Sequence, residues 1–569
     1  MTESSIYLAK PWLKYYPEGV SESVAVDEES LSNAFDRATD QFLNRAAVIF
    51  YGNKISYRQL RELSDRFAAG LASVGVKKGD RVAFYLLNSP QFIIAYFGAL
   101  KAGATVTPIS PIYTSGELRH QLLDSQAQHI VCQDMLYENV RKADCPLQSI
   151  ILTGIEEYLP TLKKIFRKKA TRKYVQSGIK TDLKDNGNIY QFQALLKEHD
   201  PSPPNITFRP KEDVATLPYT GGTTAQPKGI MLTHYNLLAN QKQIQSSWPF
   251  LEPGQEVFLA YLPLFHIFGQ VAIMLNGLIL GATLVLLTTP DLDEILASVE
   301  EYGANIFFGV PAFYDMLKDY KKTDRINWKN LKLIVCAADT LHETTIKGWE
   351  KRTGTKILEG FGMTEVSGAC HVNPYDRPKP GSFGVPLSDI TAAVVNPDTN
   401  DFLPTGEVGE LVVSGPNVMK GYWNRAEENI NALINIEGST WLKTGDLVKM
   451  DEEGYFYYVD RKKDLIKYKG YSVFAREIEE VIISHPQVKA AGIVGVPNPK
   501  VGQYIKAYVV LFSEGRGTIS EEDIANYCRE HLAHYKIPNI VEFRGELPKT
   551  DVGKISRREL REESEEILY

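Results

Sequence analysis

Apolar runs separated by polar turns predict a strand–helix unit early in the chain. The run Val82–Leu87 predicts a short strand, and the apolar positions of Phe92–Leu100 predict a buried helix after it. Ser89 is a preferred N-cap residue, and Pro90 suits the first position of that helix. We therefore predict a strand that is followed at once by a capped helix.

The same alternation continues along the chain. Thr105–Pro108 predicts the next extended segment, and His129–Cys132 predicts another strand. Between them, Thr114 and Glu117 have the spacing of a capping box and predict the start of a helix. Because repeated strand–helix–strand units build parallel sheets with helices on their faces, the pattern predicts an α/β fold.

The segment from Ile267 to Pro290 contains no charged residue and is long enough to suggest a membrane span. Gln270 and Asn276 interrupt it, however, and Gly281 separates a helix-like half from a β-branched half. We therefore predict a buried helix, a turn and a strand in this segment rather than a membrane span.

Composition and charge limit the class of protein. The 569 residues carry 63 Lys and Arg against 70 Asp and Glu, a formal net charge of −7, and 44% of them are hydrophobic. At ~150 residues per domain, this length predicts roughly three to four folding units, and the composition excludes a disordered chain. The mildly acidic balance gives no reason to expect a nucleic-acid partner.

Cysteine usage and the first residues indicate the compartment. The five cysteines are scattered and form no CxxC pair, which argues against a disulfide framework and against a zinc site. The N-terminal residues lack the apolar core of a secretory signal. We therefore expect a soluble, cytoplasmic protein.

Two changes in composition mark an insertion and a boundary. Thr161–Lys180 holds eight basic residues and no acidic one, which suits either a solvated surface insertion or a peripheral contact with anionic lipid headgroups. Later, the charged run Asp460–Asp464 follows the predicted aromatic strand Gly454–Val459. The remaining segment of about 105 residues has its own helix–strand alternation and predicts a separate small domain hinged near Lys463.

The clearest chemical signal is the loop Tyr219–Gly229, with the sequence YTGGTTAQPKG. Consecutive small and hydroxyl-bearing residues leave backbone N–H groups exposed and add hydroxyl donors, which suits polyphosphate oxygens. Lys228 is followed by Gly229 instead of Ser or Thr, and the glycine spacing also differs, so this is not a Walker A loop.

Three further segments carry candidate ligand groups. EGFGMTE ends at Glu365, whose carboxylate follows two flexible glycines and suits Mg²⁺. WLKTGD ends at Asp446, an acid on a turn that could accept from both hydroxyls of a ribose, and Arg461 could reach the same sugar. LPKTDVGK places Lys554 beside a glycine on a loop. Each segment is weak evidence alone, and their value lies in the set.

Taken in this order, the motifs resemble the adenylate-forming superfamily of acyl-CoA synthetases, adenylation domains and luciferases. The resemblance runs from Ile55 to Arg558 and includes GYW at 421–423 and KYKG at 467–470. Within the superfamily the chain is most similar to bacterial-type long-chain fatty acid–CoA ligases. The similarities are PWLKYYP near the N-terminus, the Gly-Gly form of the phosphate loop, LPLFHIFG at 262–269 and the basic insertion.

The resemblance implies a two-domain architecture. A large N-terminal adenylation domain, made of parallel-sheet α/β subdomains and a small β subdomain, would span residues 1–462. A mobile small α+β domain would span residues 463–569, with Lys463 as the hinge. Rotation between two half-reactions would remove Lys554 from the site and bring in the segment around Lys467–Gly470.

The resemblance also implies the reaction. A carboxylate would attack the α-phosphate of ATP to give an acyl-adenylate and pyrophosphate, and the CoA thiol would then displace AMP to give acyl-CoA. The implied catalytic residues are Thr220, Lys228, Glu365 and Lys554. Of these, Glu365 would hold Mg²⁺. The implied ATP- and AMP-binding residues are Thr220, Gly221, Gly222, Thr223, Thr224, Lys228, Glu359, Gly360, Phe361, Thr364, Asp446, Arg461 and Lys554, and the implied CoA-binding residues are Lys467, Lys469 and Gly470.

The implied acyl-binding residues are His266, Phe268, Gly269, Gly309 and Gly362. Residues 265–269 lack the aspartate that binds the α-amine in amino-acid-activating relatives, and Gly362 stands where acetate-restricted relatives have Trp. We therefore expect a medium- or long-chain fatty acid, with affinity rising by ~0.8 kcal/mol per buried methylene. The alternatives are a short hydroxy acid such as 4-hydroxybutyrate, an aryl acid, luciferase-type oxidation and a non-catalytic acyl-binding protein. Both a monomer and a homodimer are compatible with the sequence.

Overall fold

The computed structural model describes residues 3–160, 187–220, 227–436, 438–515, 517–549 and 555–566. The chain forms two compact units. The larger unit contains Trp12–Thr391 and Val413–Leu442, and the smaller unit contains Met1–Pro11, Ala392–Val412 and Lys443–Tyr569. The predicted domain boundary at Lys463 lies within the smaller unit and stays a prediction. The basic insertion Thr161–Lys180 lies outside the described residues.

The first sheet of the larger unit is parallel in its middle and antiparallel at both edges. Its strands, in spatial order, are Val385–Pro386, His371–Val372, Leu358–Phe361, Leu333–Cys336, Ile306–Gly309, Val257–Ala260, Thr283–Leu286, Ala46–Phe50 and Asn53–Ser56. Its central strands are almost completely buried and mostly apolar, as expected where helices cover both faces of a parallel sheet.

The second sheet of the larger unit positions the phosphate loop. Its strands, in spatial order, are Gly421–Tyr422, Lys228–Thr233, Val214–Thr216, Thr105–Pro108, Arg81–Tyr85, His129–Gln133, Ser149–Thr153 and Ile189–Gln191, and Tyr219–Thr220 also pairs with Lys228–Thr233. Strands from Val214–Thr216 to Ile189–Gln191 are parallel, whereas Lys228–Thr233 is antiparallel to each of its neighbours. The predicted parallel α/β fold is therefore confirmed.

The predicted capping signals are only partly used. A helix begins at Pro90 after Ser89, as predicted, but the Ser89 hydroxyl donates to the carbonyl of Leu87 instead of capping the helix. Thr114 and Glu117 do form the predicted capping box. Within the described residues, the α-helices of the larger unit are Leu31–Phe42, Tyr57–Ser73, Pro90–Lys101, Ser115–Ser125, Tyr137–Ala143, Phe192–Glu198, His234–Ser246, Asn276–Ile279, Leu292–Tyr302, Pro311–Asp319, Glu343–Thr353 and Ala426–Ala432.

The uncharged segment after Ile267 folds as predicted. A π-helix, Gly269–Leu275, leads into the helix Asn276–Ile279 and then into the strand Thr283–Leu286. Gly281 makes the turn between them with φ +77°, and a Cβ there would lie 2.2 Å from the ring of Phe42. In the part of the chain that the structure describes, no helix is long and apolar enough to cross a membrane.

The smaller unit contains two mainly antiparallel sheets. The strands that this unit contributes to the first sheet are Thr391–Val395, Gly409–Ser414, Ser439–Met450 and Phe456–Arg461. The strands of the second sheet, in spatial order, are Tyr471–Val473, Ile466–Tyr468, Gly502–Leu511 and Val488–Asn498, and Ile540–Phe543 lies parallel to Gly502–Leu511. The α-helices are Glu3–Leu8, Ala475–Ile483, Glu521–His531 and Arg557–Glu566. Two apolar clusters pack against the second sheet, so the segment after residue 463 has the predicted α+β composition and its own core.

Candidate active site

The two ends of the phosphate loop are held together in an antiparallel pair. Thr220 ends the strand Tyr219–Thr220, and it lies directly opposite Lys228, the first residue of the strand Lys228–Thr233. The connecting residues Gly221, Gly222, Thr223 and Thr224 lie outside the described residues. The structure therefore places Thr220 and Lys228 side by side at the mouth of the loop.

A polar anchor holds the base of this loop. The Tyr219 hydroxyl donates to a carboxylate oxygen of Asp124 at 2.7 Å, and Arg425 Nη2 donates to the other oxygen at 2.6 Å. Burial, followed by the hydrogen bond to Asp124, raises the pKa of Tyr219, so its hydroxyl stays protonated and continues to donate. The ring of Tyr219 also lies 3.0 Å from where a Cβ of Gly229 would be, which explains the glycine after Lys228.

Glu365 follows the strand Leu358–Phe361 in a one-turn 3₁₀ helix, Thr364–Val366, in which both Thr364 and Glu365 are buried. The Tyr422 hydroxyl donates to Glu365 Oε1 at 3.0 Å, and the backbone N–H of Met419 donates to the Glu365 carbonyl at 2.8 Å. Both the backbone and the side chain of Glu365 are thus held by one segment of chain.

Tyr422 also contacts Lys228. The Lys228 ammonium lies 5.4 Å from the centre of the Tyr422 ring, within the range of a cation–π contact, and 3.5 Å from the carboxylate of Glu428. We call Lys228, Glu365, Tyr422 and Glu428 the Tyr422 cluster. Sequence reasoning selected Lys228 and Glu365 but missed Tyr422 and Glu428, although the GYW motif was a signal for the first of these.

Three of the predicted nucleotide residues, Glu359, Gly360 and Phe361, lie on the strand Leu358–Phe361. Phe361 packs against Phe383 at 4.7 Å and against the edge of His371 at 6.2 Å, measured between ring centres. A Cβ at Gly360 would lie 3.2 Å from the His371 carbonyl, and Glu359 accepts a hydrogen bond from the Gly381 N–H at 3.0 Å. The contacts with Phe383 and His371 fix the orientation of the Phe361 ring.

The predicted acyl residues lie beside two strands of the first sheet. His266 Nδ1 accepts from the backbone N–H of Phe268 at 3.3 Å, and the Phe268 ring meets the edge of Phe308 at 5.9 Å between centres. At Gly269 a Cβ would lie 2.2 Å from the Pro263 carbonyl, and at Gly309 it would lie 2.7 Å from the Tyr314 ring. Both glycines are therefore required by packing.

The fold explains why position 362 is a glycine, which the sequence did not show. A Cβ at this position would lie 1.8 Å from the carbonyl oxygen of Gly368 and 2.7 Å from the Cα of Ala369. Because the atoms that a Cβ would meet belong to the backbone, the path of the chain at this position requires glycine. The absence of a side chain at 362 is thus no evidence by itself for a long acyl substrate.

Asp446 and Arg461 form a pair in the smaller unit. They lie directly opposite each other on the strands Ser439–Met450 and Phe456–Arg461. Asp446 is completely buried, and Arg461 Nε lies 2.7 Å from its carboxylate, while 37% of the Arg461 side chain is exposed. The structure therefore brings these two residues into contact, and their role toward ribose stays a prediction.

A second charged group lies next to the predicted hinge in the smaller unit. Arg557 Nη1 lies 2.9 Å from Asp460 and 3.1 Å from Asp464, and its guanidinium also pairs with Glu479. Arg561 lies 2.8 Å from Asp464 and donates to the Lys463 carbonyl at 3.3 Å. We call Asp460, Asp464, Glu479, Arg557 and Arg561 the Arg557 cluster. Burial disfavours the charged form of Arg557, but the three carboxylates outweigh it and raise the pKa of the guanidinium.

The predicted CoA segment is the tip of a hairpin. Lys469 and Gly470 connect the strands Ile466–Tyr468 and Tyr471–Val473 with φ values of +49° and +84°, as in a two-residue turn with left-handed backbone. Lys467 Nζ donates to Ser472 at 2.8 Å, and the Lys469 ammonium lies 5.2 Å from the Tyr468 ring centre. Both lysines are exposed on the tip. Lys554 lies outside the described residues.

The carboxylate of Glu365 is of the type that Mg²⁺ prefers. Among the residues that the structure describes, no group of three or more His, Cys, Asp or Glu side chains is placed to hold a metal ion. Mg²⁺ usually keeps several waters and binds through one or two carboxylates together with substrate phosphates. A single buried carboxylate near Lys228 fits that mode of binding. It does not fit a site in which protein groups supply all the ligands of the ion.

Comparison with known proteins identifies the family of this chain. The AMP-binding enzyme family matches residues 35–423, and the AMP-binding enzyme C-terminal domain matches residues 477–554. A long-chain-fatty-acid–CoA ligase of Bacillus subtilis is 36% identical over 562 residues, which cover 98% of each chain. The enzyme of the same name from Escherichia coli O6:H1 is 37% identical over 571 residues, 98% of this chain and 99% of its own.

A solved structure also matches at nearly full length. ATP-bound MatB from Rhodopseudomonas palustris superposes with a TM-score of 0.82 at 28% identity, covering 95% of this chain and all of that one. The matched ranges contain the strand that begins at Lys228, the turn that carries Glu365 and the strand Gly421–Tyr422. The chain belongs to the AMP-binding enzyme family, the adenylate-forming superfamily that its motifs indicate, and it is an ATP-dependent acyl-CoA ligase.

Proposed function

We propose that the protein activates a medium- or long-chain fatty acid as its acyl-adenylate and transfers the acyl group to CoA. The observation that carries the proposal is the Tyr422 cluster, which places an ammonium and a carboxylate in the same small region. Lys228 suits the phosphates of ATP, and Glu365 suits the Mg²⁺ that accompanies them. Two long-chain-fatty-acid–CoA ligases that are 36% and 37% identical at nearly full length support the class of acid.

The first half-reaction needs positioning and neutralisation of negative charge. An oxygen of the fatty acid carboxylate attacks the α-phosphorus of ATP, and the bond to the bridging oxygen of pyrophosphate breaks. We assign Thr220–Thr224, Lys228 and Thr364 to the phosphates. When bound, Mg²⁺ supplies additional positive charge to the phosphate oxygens, and Glu365 would hold it. Lys554 would contact the carboxylate and the α-phosphate, where negative charge accumulates.

The remaining roles follow from the same proposal. We assign Glu359, Gly360, Phe361, Asp446 and Arg461 to the nucleoside, and the surroundings of His266, Phe268, Gly269, Gly309 and Gly362 to the acyl chain. In the second half-reaction, the CoA thiol attacks the acyl carbon and AMP leaves. We assign Lys467, Lys469 and Gly470 to CoA.

The proposal also includes a change of arrangement about Lys463 between the two half-reactions. The division into residues 1–462 and 463–569 belongs to this proposal. Two predictions from the sequence stay predictions. One is the contact of Thr161–Lys180 with anionic lipid, and the other is the homodimer.

A ladder of acids tests the proposal directly. Purified protein with ATP and Mg²⁺ should exchange labelled pyrophosphate into ATP when decanoate or palmitate is present, and adding CoA should release AMP and acyl-CoA. Each methylene that is buried should improve binding by ~0.8 kcal/mol, so kcat/KM should rise with chain length until the pocket ends. A higher kcat/KM for acetate, 4-hydroxybutyrate or benzoate than for decanoate would contradict the assigned class of acid. Formation of ADP in place of AMP would contradict the reaction.

A further inference from the structure

Tyr422 is held in place by its own backbone contacts before its side chain meets the site. The strand Gly421–Tyr422 pairs with the strand Lys228–Thr233, with Tyr422 opposite Ile230. The side-chain amide of Asn429 accepts from the Tyr422 N–H at 2.6 Å and donates to its carbonyl at 3.0 Å. The backbone of Tyr422 is therefore fixed by main-chain and amide contacts, independently of Lys228 and Glu365.

The neighbouring residues tie the same segment to the base of the phosphate loop. The Trp423 backbone N–H donates to the Gly229 carbonyl at 2.8 Å, and the Trp423 indole N–H donates to the Asp124 carbonyl at 3.1 Å. Arg425 pairs with the Asp124 carboxylate, which also accepts from Tyr219. Residues 419–425 thus contact both the strand that carries Lys228 and the turn that carries Glu365.

We infer that Tyr422 is a positioning residue for the polyphosphate and its metal ion, acting through Glu365 by its hydroxyl and through Lys228 by its ring. The hydroxyl donates to Glu365 Oε1 at 3.0 Å, which fixes the direction of the carboxylate. The ring faces the Lys228 ammonium at 5.4 Å, which holds the cation near the carboxylate. This inference rests on the proposed function, since it requires that Glu365 and Lys228 bind the metal–nucleotide.

The hydroxyl of Tyr422 is the donor in its contact with Glu365, because an ionised carboxylate can only accept a hydrogen bond. A phenol that donates to a carboxylate leaves that carboxylate with its full charge, whereas a lysine in the same place would compete with a metal ion. Hydrogen-bonded partners of this kind orient metal-binding carboxylates, and removing them typically costs about 10- to 100-fold in metal affinity.

Two variants separate the two contacts of Tyr422. Tyr422→Phe keeps the ring beside Lys228 and removes only the donor to Glu365, whereas Tyr422→Leu removes both contacts. Binding of Mn²⁺, measured by electron paramagnetic resonance with a non-hydrolysable ATP analogue present, reports the metal without catalysis. We expect Tyr422→Phe to weaken Mn²⁺ binding about tenfold and to leave binding of the metal-free analogue unchanged. Tyr422→Leu should weaken binding of both.

Activity assays and a control variant distinguish positioning from a purely structural role. In Tyr422→Phe, the Mg²⁺ concentration for half-maximal pyrophosphate exchange should rise about tenfold, while thioester formation from pre-made acyl-adenylate stays unchanged. Tyr57→Phe is the control, because the buried Tyr57 hydroxyl donates to the Ala282 carbonyl at 2.6 Å and lies outside the cluster. Wild-type Mn²⁺ affinity in Tyr422→Phe would overturn the inference. So would an equal loss in both half-reactions together with a fall in thermal stability.

The proposed function can fail separately. If the wild-type protein shows no acid-dependent pyrophosphate exchange, the proposed function is wrong, and the Mn²⁺ titration still decides whether Tyr422 orients a metal site.

Discussion

The Arg557 cluster and the Tyr422 cluster differ in how completely their charges are compensated by nearby groups of the protein. In the Arg557 cluster, one guanidinium contacts three carboxylates, and Asp460 also accepts from the backbone N–H groups of Arg461 and Arg476. In the Tyr422 cluster, Lys228 has its carboxylate partner at 3.5 Å, and 21% of its side chain is exposed.

This difference indicates different uses of charge. A buried charge that is saturated by close partners fixes one packing of the chain, and removing a partner leaves the others uncompensated. A partly exposed charge whose single carboxylate partner lies at 3.5 Å contributes little to folding and keeps its attraction for an incoming ligand. We therefore expect changes in the Arg557 cluster to alter stability and changes in the residues assigned to the chemistry to alter rates.

The largest effect should come from Arg557→Met. The substitution leaves the buried Asp460, Asp464 and Glu479 without this guanidinium, so the free energy of unfolding should fall by about 3–5 kcal/mol. Denaturant unfolding measures this, and the ratio of the two half-reaction rates in the folded fraction should change little. Arg558→Met is the control, because the adjacent Arg558 is 48% exposed and pairs only at 3.4 Å with Glu562. Equal losses of stability in the two variants would contradict the assigned role of the cluster.

Lys554 lies three residues before Arg557 in the sequence and should behave in the opposite way. Lys554→Ala should slow adenylation by on the order of 10²–10³-fold, the scale of one donor to a developing oxyanion. Thioester formation from pre-made acyl-adenylate should be largely kept, and unfolding should change little. Single-turnover assays of each half-reaction measure the two steps separately. Lys549→Ala, an exposed lysine on the same segment, is the control. An equal loss in both half-reactions would refute this division of labour.

His234 and His371 have the most strongly lowered pKa values among the buried histidines of the larger unit, and they should make stability depend on pH. Burial lowers the pKa of His234 to about 4 and that of His371 to about 3, from an ordinary value of 6.5. Between pH 6.5 and these values the unfolded chain binds more protons than the folded chain, so stability is lost as the pH falls below 6.5. Each histidine should contribute a slope of about 1.4 kcal/mol per pH unit in that window.

Urea unfolding at about pH 7.5, 6 and 5 measures this slope, and His234→Asn isolates one histidine. The asparagine oxygen can still accept the hydrogen bond that the Leu31 N–H donates to His234 Nδ1 at 3.2 Å. The variant should therefore lose about half of the predicted slope. His531→Asn, on the exposed surface of the smaller unit, should keep the wild-type slope. An unchanged slope in His234→Asn would show that this histidine is not the titrating group.

The smallest effect should come from Glu428→Gln. Its carboxylate is the partner of Lys228, and both side chains are partly exposed, so the pair is worth at most ~1 kcal/mol. Removing it frees Lys228 for phosphate, so KM for ATP should fall by up to about fivefold, with no measurable change in unfolding. Glu427→Gln, the exposed neighbour, should leave KM unchanged. A higher KM in Glu428→Gln would mean that Glu428 helps to position Lys228 instead of competing with phosphate.

The local features of the fold could be predicted because a few neighbouring residues determine them. The strand at Thr105–Pro108 and the capping box of Thr114 and Glu117 depend on periodicity and on hydrogen bonds over three residues. The turn at Gly281 was visible because glycine divides two segments of different character. Gly362 shows the limit of this reasoning, because the backbone atoms that exclude a Cβ belong to Gly368 and Ala369 across a folded turn.

The sequence by itself determined the family, the order of the motifs and the residues able to carry charge, since these depend on residue type and spacing. Only the tertiary structure decided which of those charges meet. Tyr422 and Glu365 are 57 positions apart, and Arg557 and Asp460 are 97 positions apart. Such pairs form because sheet register and helix packing bring distant segments within 3 Å or so, where hydrogen bonds act. No pattern within a short stretch of sequence shows which partners will meet, and so the contact of Tyr422 with Glu365 and the Arg557 cluster appeared only in the folded chain.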